Sequence, residues 1–234
     1  MKLTIVGLPI GNIEDISPRA IKTLQEANFI VCEDTRVFNS LWMKLIQQGR
    51  AERLSATLRF VNDFNEERAL PKIIQEMSFL DNAVLVSDAG MPLISDPGYM
   101  LVREGINLGW DIDVVPGPTA ESAALAVSGL PTDKYVFLGF LPKKPGKRRE
   151  VLESFRQSQA GLRCTGVIYE SPVRLLRLLD EITQVFGAER QVFIGRDLTK
   201  STQQSFRGNV GELVAKLSKE KMKGEITLVI GRGD

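Results

Sequence analysis

The sequence predicts an α/β protein of two domains with a cleft between them. Three observations carry that reading. Short apolar runs alternate with helix-period runs through the first half of the chain, the signature of a mostly parallel sheet with helices on both faces. A helix bracketed by prolines and glycines, "PGPTAESAALAVSGLP" (116–131), is followed by a set of strands of different texture. The 234 residues suit one large domain or two small ones, each with a buried core. The boundary is placed near 116–120. It divides the chain into an N-terminal α/β domain (1–117) and a C-terminal α/β domain (118–234) with a mixed sheet.

The elements follow in order. "LTIVG" (3–7) reads as a strand. "SPRAIKTLQEANF" is a helix with Ser17 as N-cap and Pro18 at its first position. "FIVCED" (29–34) is the second strand, "NSLWMKLIQQG" a helix closed by Gly49, and "RLSATLRF" a third strand. "NEERALPKIIQEMSFL" is a helix with Pro71 in its early part. "AVLVSD" (83–88) is a buried strand, "DPGYMLVREGINLG" a helix ending at Gly109, and "DIDVVPG" the next strand. In the second half, strands are expected at "YVFLGFL" (135–141), "TGVIYES" (165–171), "QVFIGRDL" (191–198), "QSFRG" (204–208) and "EITLVIG" (225–231). The "TKSTQQS" gap is hairpin-like and introduces antiparallel pairing.

Composition narrows the chemistry. Thirty Lys and Arg against 29 Asp and Glu leave a net charge of +1, so affinity for a nucleic acid must come from a local patch. There is no histidine. That removes the commonest general base, the commonest metal ligand and every Ser-His or Cys-His mechanism; no metal is expected. Cys32 and Cys164 sit in apolar runs and read as buried thiols of a reducing compartment rather than a disulfide. The N-terminal apolar stretch is too short for a signal peptide. No run approaches the roughly 18 apolar residues of a membrane span. The expected location is the cytoplasm.

Several stretches place polar groups at strand ends. In "LVSDAGMPLISDPGYMLV" (85–102), Asp88 closes a buried strand, where open α/β sheets bind ligands, and Gly90 allows close backbone approach. Ser95 or Asp96 is placed to cap the following helix, with Pro97 in its first turn. "VGLPIGN" (6–12) is a glycine loop without the spacing of a dinucleotide or phosphate loop. "CEDTR" (32–36) sets Glu33, Asp34 and Arg36 together, as surface ion pairs or as a substrate site. "YESPVR" (169–174) ends a strand with Tyr169 and Glu170 and reaches Arg174. "LPKKPGKRRE" (141–150) gathers five basic residues between 143 and 149, as a solvated loop or as a phosphate-contacting patch.

Together these stretches resemble the bacterial ribosomal RNA small subunit methyltransferase I family, within the tetrapyrrole methylase-like S-adenosylmethionine enzymes. "PIGNIEDIS", "CEDTR", "LVSDAGMPLISDPGY", "VPGPTA", "AALAVSGLPTD", "YESPVRLL" and "GEITLVI" occur in order from residue 9 to residue 230. The resemblance implies two α/β domains of the tetrapyrrole methylase type, a homodimer, and S-adenosylmethionine in the cleft. It implies methylation of a cytidine ribose 2′-hydroxyl in 16S ribosomal RNA of the 30S subunit. The implied cofactor residues are Leu8, Pro9, Asp88, Gly90, Met91, Thr119 and Ala120, with Tyr169, Leu198, Glu225 and Ile226 from the second domain. Glu170 and Glu66 are the favoured proton acceptors, ahead of Glu33 and Asp34. Substrate contacts fall to Glu33, Arg36, Lys143, Lys144, Arg148 and Arg174.

The chain departs from the family pattern at three places. Val173 stands where the family usually has histidine, a histidine-rich stretch reads "FVNDFNEE" (60–67), and "TPIGN" has become "LPIGN". Family chains commonly continue into a further small C-terminal domain. The alternatives are methylation of a tetrapyrrole or another small molecule, or a non-catalytic protein that binds S-adenosylmethionine or RNA.

Overall fold

The computed structural model describes residues 1–62 and 65–233. Asp63 and Phe64 of the "FVNDFNEE" stretch, and the terminal Asp234, lie outside the described residues. The chain forms two compact units, Met1–Thr119 and Ala120–Asp234.

The first unit is built on five parallel strands: β1 (Lys2–Val6), β2 (Phe29–Cys32), β3 (Thr57–Phe60), β4 (Asn82–Leu85) and β5 (Asp111–Val115). Their order across the sheet is β3-β2-β4-β1-β5. Both faces are covered, so alternate residues along each strand join different cores. Val6, Ile30, Cys32 and Val84 pack against α1 (Pro18–Gln25) and α2 (Thr35–Gln47). Leu3, Ile5, Phe29, Val31 and Leu85 pack against α3 (Glu66–Met77) and α4 (Tyr99–Asn107). Burying one such side chain stabilises the unit by about 1.5–3 kcal/mol. Phe38 and Trp42, one turn apart on α2, stack in the first of these cores, and the indole N–H donates to Glu52 O at 2.9 Å.

Helix starts carry their own chemistry. Ser17 accepts from Ala20 N–H at 3.0 Å with Pro18 behind it, the cap read from the sequence. At α2 the expected start moves upstream: Asp34, not a residue near Asn39, is the N-cap and accepts from Arg36 N–H at 2.8 Å. At α4 the cap expectation fails. Ser95 and Asp96 lie in the preceding loop, and Gly98, in the left-handed region at φ 114°, is the residue before the helix. The first turn is capped from elsewhere, because Glu66 Oε1 accepts from Met100 N–H at 2.9 Å. Glu66, expected from the sequence as a proton acceptor, thus has a structural task as the cap of α4. Glu66→Ala should cost about 1 kcal/mol, the usual worth of a cap, with S-adenosylmethionine affinity unchanged. Chemical denaturation and calorimetry check the two halves of that statement.

The second unit holds a mixed sheet of order β6-β7-β10-β8-β9. Its strands are β6 (Tyr135–Phe140), β7 (Thr165–Glu170), β8 (Gln191–Arg196), β9 (Gln204–Asn209) and β10 (Ile226–Ile230). β6 and β7 are parallel, and the remaining pairs are antiparallel. β8 and β9 form the expected hairpin. Ile168, Ile194 and Leu228 bury one face under α6 (Pro145–Leu162), α7 (Pro172–Phe186) and α8 (Val210–Leu217). α5 (Ala120–Ser128) packs against β7, β8 and β10. "PGKRRE", read as part of a solvated loop or of a phosphate-contacting patch, forms the first turns of α6. Its buried positions, Arg148, Leu152, Phe155 and Gln159, recur at helical spacing, but the first of them is an arginine.

Candidate functional site

In the first unit the polar groups collect where the connections diverge. β1 and β4 are neighbours in the sheet. The chain leaves β1 for α1 on one face and leaves β4 for α4 on the other. Adjacent strands whose connections part in this way leave a crevice beyond their carboxyl ends, the usual ligand position of open α/β sheets. The two loops there are joined by a short bridge, Leu8 N–H to Gly90 O at 2.8 Å and Gly90 N–H to Leu8 O at 3.1 Å. Gly7 meets Gly117 so closely that a Cβ on Gly7 would lie 2.6 Å from the Gly117 Cα. Gly117 N–H points to Met91 Sδ at 3.3 Å. The loop from 90 to 98 is held in left-handed backbone at Leu93 (φ 75°) and Ser95 (φ 68°). Such conformations cost on the order of 1 kcal/mol or more each and gather at binding sites.

Asp88 stands in the middle of this arrangement. Its Oδ1 accepts from Asp34 N–H at 3.0 Å, and its own N–H donates to Glu33 Oε2 at 3.4 Å. Oδ2 takes no hydrogen bond from the described residues. Burial pushes the Asp88 carboxyl above the ordinary carboxylate range. The Asp34 carboxylate adds to this, while the Asp34 N–H and Arg36 oppose it. Asp34 behaves oppositely: the Arg36 side chain and N–H hold it down to about 2. Beneath them burial raises the Cys32 thiol to about 12, with help from Asp88 and Asp34, so it is an inert packing group. Cys164 is likewise a buried free thiol.

The resemblance-derived residues of the first unit thus come together: Leu8, Pro9, Asp88, Gly90 and Met91 share one sheet end, with Glu33 and Arg36 beside Asp88. Thr119 closes this unit and Ala120 opens the next as the first residue of α5. The donor set fits S-adenosylmethionine. A carboxylate oxygen with no hydrogen bond among the described residues suits its ammonium or ribose hydroxyls, and the buried Leu8 and Pro9 suit its apolar parts.

In the second unit one sheet end gathers the rest. Ile226 pairs with both Glu170 and Arg196, so β7, β10 and β8 end on one row. Asp197 and Glu225 exchange backbone and side-chain bonds there: Asp197 N–H donates to Glu225 O at 2.9 Å, and Glu225 N–H to Asp197 Oδ1 at 3.1 Å. Leu198 is buried against Gly195. Tyr169 lies edge-on to Phe137 and Phe140, and its hydroxyl donates to Glu121 of α5. Glu121 is a buried carboxylate in the first turn of α5, and the sequence pattern gives it no role. Only the pairing partner reveals it.

Two expectations need correction here. Glu170 is fully buried, and its Oε1 accepts from Ser171 N–H and from Arg174 Nε, each at 2.6 Å. A carboxylate with no solvent exposure is not open to a substrate hydroxyl in this structure. Arg148 is 1% exposed and forks onto Glu181, so it does not meet an RNA phosphate. Lys143, Lys144, Lys147 and Arg149 of the same cluster are exposed, and Val173 projects into solvent. Among the described residues no group of three or more His, Cys, Asp or Glu is arranged to hold a metal, and no helix is long and apolar enough to cross a membrane.

Comparison with known proteins decides the family. Residues 2–214 match the tetrapyrrole (corrin/porphyrin) methylases. A Thermotoga maritima protein named ribosomal RNA small subunit methyltransferase I is 43% identical over 98% of this chain and 97% of its own length. The chain belongs to the tetrapyrrole methylase family, in its ribosomal RNA small subunit methyltransferase I branch. Proteins of the same name from Mycoplasmopsis pulmonis and Escherichia coli O157:H7 are 37% and 38% identical, over 97% and 98% of this chain. The match spans 96% of the Mycoplasmopsis protein and 77% of the E. coli one, so the name is shared by relatives with and without additional length. Solved structures bear out the methylase fold. The methyltransferase CobJ superposes with a TM-score of 0.69 at 21% identity, over 99% of this chain and 94% of that one. Uroporphyrin-III C-methyl transferase from Thermus thermophilus, in complex with S-adenyl homocysteine, gives 0.67 at 17% identity, over 99% and 97%.

Proposed function

We propose that the protein is an S-adenosylmethionine-dependent methyltransferase of small-subunit ribosomal RNA, acting on a cytidine ribose 2′-hydroxyl of the 30S particle. The observation that carries it is the Asp88 loop at the divergence of β1 and β4, in a chain whose relatives bear that name over nearly its full length. S-adenosylmethionine supplies a methyl group already activated on a sulfonium. When bound it would let an O–CH3 bond form as the S–CH3 bond breaks, with S-adenosylhomocysteine as the leaving group and the hydroxyl proton passing to solvent. Positioning is then the main task of the protein, and it is worth up to roughly 7–11 kcal/mol when complete. Asp88 holds a cationic or hydroxyl group of the cofactor, with Leu8, Pro9, Gly90, Met91, Thr119 and Ala120 as further cofactor residues. Tyr169, Leu198, Glu225 and Ile226 are assigned to the same cofactor from the second unit. Lys143, Lys144 and Arg36 are the RNA-facing cations, and the working form is a homodimer.

The test is transfer from labelled S-adenosylmethionine to 30S subunits that lack the modification. Stoichiometric label in a 2′-O-methylcytidine is expected. Cofactor binding without transfer would overturn the reading and leave a binding protein; transfer to a tetrapyrrole instead would move it to small-molecule methylation.

A further inference from the structure

Two arginines from different helices reach the same short segment. Leu141 to Lys144 connect β6 to α6 without regular structure. Arg148, in the first turn of α6, donates from Nη1 to Pro142 O at 3.3 Å and to Lys143 O at 3.2 Å. Arg174, in the first turn of α7, donates from Nη1 to Leu141 O at 3.4 Å. Three consecutive carbonyls are thus each taken by a guanidinium.

Each guanidinium is itself held from behind. Glu181 of α7 takes Arg148 in a fork, Nε to Oε2 at 2.5 Å and Nη2 to Oε1 at 2.6 Å. Glu170, at the end of β7, takes Arg174 at 2.6 Å. The Arg148 and Glu170 side chains are 2% and 0% exposed. Buried ion pairs are costly to desolvate, and well-packed apolar residues often serve stability as well or better. Their return is geometric: a planar fork fixes what it touches in register. What these pairs fix is the backbone of the segment whose side chains, Lys143 and Lys144, stand exposed.

We propose that Arg148–Glu181 and Arg174–Glu170 are positioning residues that clamp residues 141–143, so that Lys143 and Lys144 meet the RNA phosphodiester backbone in one fixed arrangement. The proposal rests on the reading of this protein as an enzyme of ribosomal RNA. It gives "YESPVR" and the buried arginine of "KPGKRRE" a shared task that neither has alone. Arg148 acts on RNA through the lysines and does not touch it.

The test is equilibrium binding of the full-length protein to 30S subunits across a salt series, with cofactor affinity and melting temperature measured beside it. The variants are Arg148→Met, Arg148→Lys, Arg174→Gln, Lys143→Ala/Lys144→Ala, and each clamp variant combined with the lysine pair. Arg148→Met and Arg174→Gln are expected to weaken 30S binding roughly tenfold and to flatten the salt dependence, as the lysine pair does, since fewer phosphates are then neutralised. Combining either with the lysine pair should add little. Arg148→Lys should behave like Arg148→Met, because an ammonium cannot span Glu181 and two carbonyls. Cofactor affinity of the Arg148 variants should stay within about twofold, since Arg148 bonds Glu181 and the carbonyls of Pro142 and Lys143, none of them a cofactor residue; a general loss of structure would lower both affinities. Losses that multiply on combination would overturn the clamp, as would an Arg148→Lys protein that binds like the parent. Should Arg148→Met fail to fold, Arg174→Gln carries the same comparison. A parent protein that binds 30S subunits without methylating them defeats the enzymatic reading but not the clamp; one that does not bind them defeats both.

Discussion

Asp88→Asn is expected to raise the dissociation constant for S-adenosylmethionine on the order of 10- to 100-fold while leaving the fold intact. The amide keeps an oxygen for the Asp34 N–H, but it loses the charge and turns the second acceptor oxygen into an NH2 donor. A hydrogen bond to a charged group contributes about 1.5–3 kcal/mol, and each 1.4 kcal/mol is a factor of ten. The fold should not suffer, because burial already disfavours the ionised carboxylate. The same residue sets a pH dependence. In the proposed role of Asp88 the ionised form holds the cofactor, so affinity is expected above the Asp88 pKa and is expected to be lost as pH falls through it. Since burial, aided by Asp34, raises that pKa, the loss begins above the ordinary aspartate range. The Asp88→Asn protein should show a flat profile over that interval. Calorimetric titrations from pH 8 downward check both points. An unchanged affinity at neutral pH would remove Asp88 from the cofactor site.

Gly7→Ala should be the most damaging single methyl group in the first unit. The new Cβ would lie 2.6 Å from both Cα and N of Gly117, and backbone cannot rotate out of the way as a side chain can. The neighbouring Met91 Sδ, 2.7 Å away, adds to the crowding. Overpacking of this kind costs up to about 3 kcal/mol, or a fall of roughly 6–12 °C in melting temperature for a chain of this size. Cofactor affinity should fall with it, because the displaced loops are those joined by the Leu8–Gly90 bridge. Gly117→Ala should act alike, and the double variant should cost less than the sum, since one separation of the two loops accommodates both methyls. A melting temperature within about 2 °C of the parent would show that the loops yield readily.

The fold was legible where local patterns suffice. Ser17-Pro18 announced a helix start, the "TKSTQQS" gap a hairpin, and the alternating runs a parallel sheet with two covered faces. What escaped was set by partners distant in sequence. Ser95 and Asp96 look like caps by every local rule, yet the cap of α4 comes from Glu66, 34 residues earlier. Arg148 sits among exposed cations in sequence and is buried only because Glu181 lies across from it on the neighbouring helix. Glu170 reads as a free carboxylate until Arg174, one turn onward, occupies it. For the candidate site the order of reliability is similar. Asp88 was visible from its place at the end of a buried strand, whereas the Gly7–Gly117 contact and the Tyr169–Glu121 pair join residues that no spacing rule connects.

The position of β1 has a consequence for how the chain is made. This first strand lies between β4 and β5, with Lys2 in register with Asn82 on one side and Asp111 on the other. During synthesis the strand therefore leaves the ribosome long before either neighbour exists. At about 5–20 residues per second, its second neighbour follows after roughly 5–20 s. β2 pairs with β3 and β4, so β4 is the strand that links β1 to the rest of the sheet. In the second unit β8 and β9 are joined by a short turn and can pair as soon as they emerge. The nascent N-terminal strand, apolar and unpaired over that interval, is the segment of this protein most in need of shelter by chaperones.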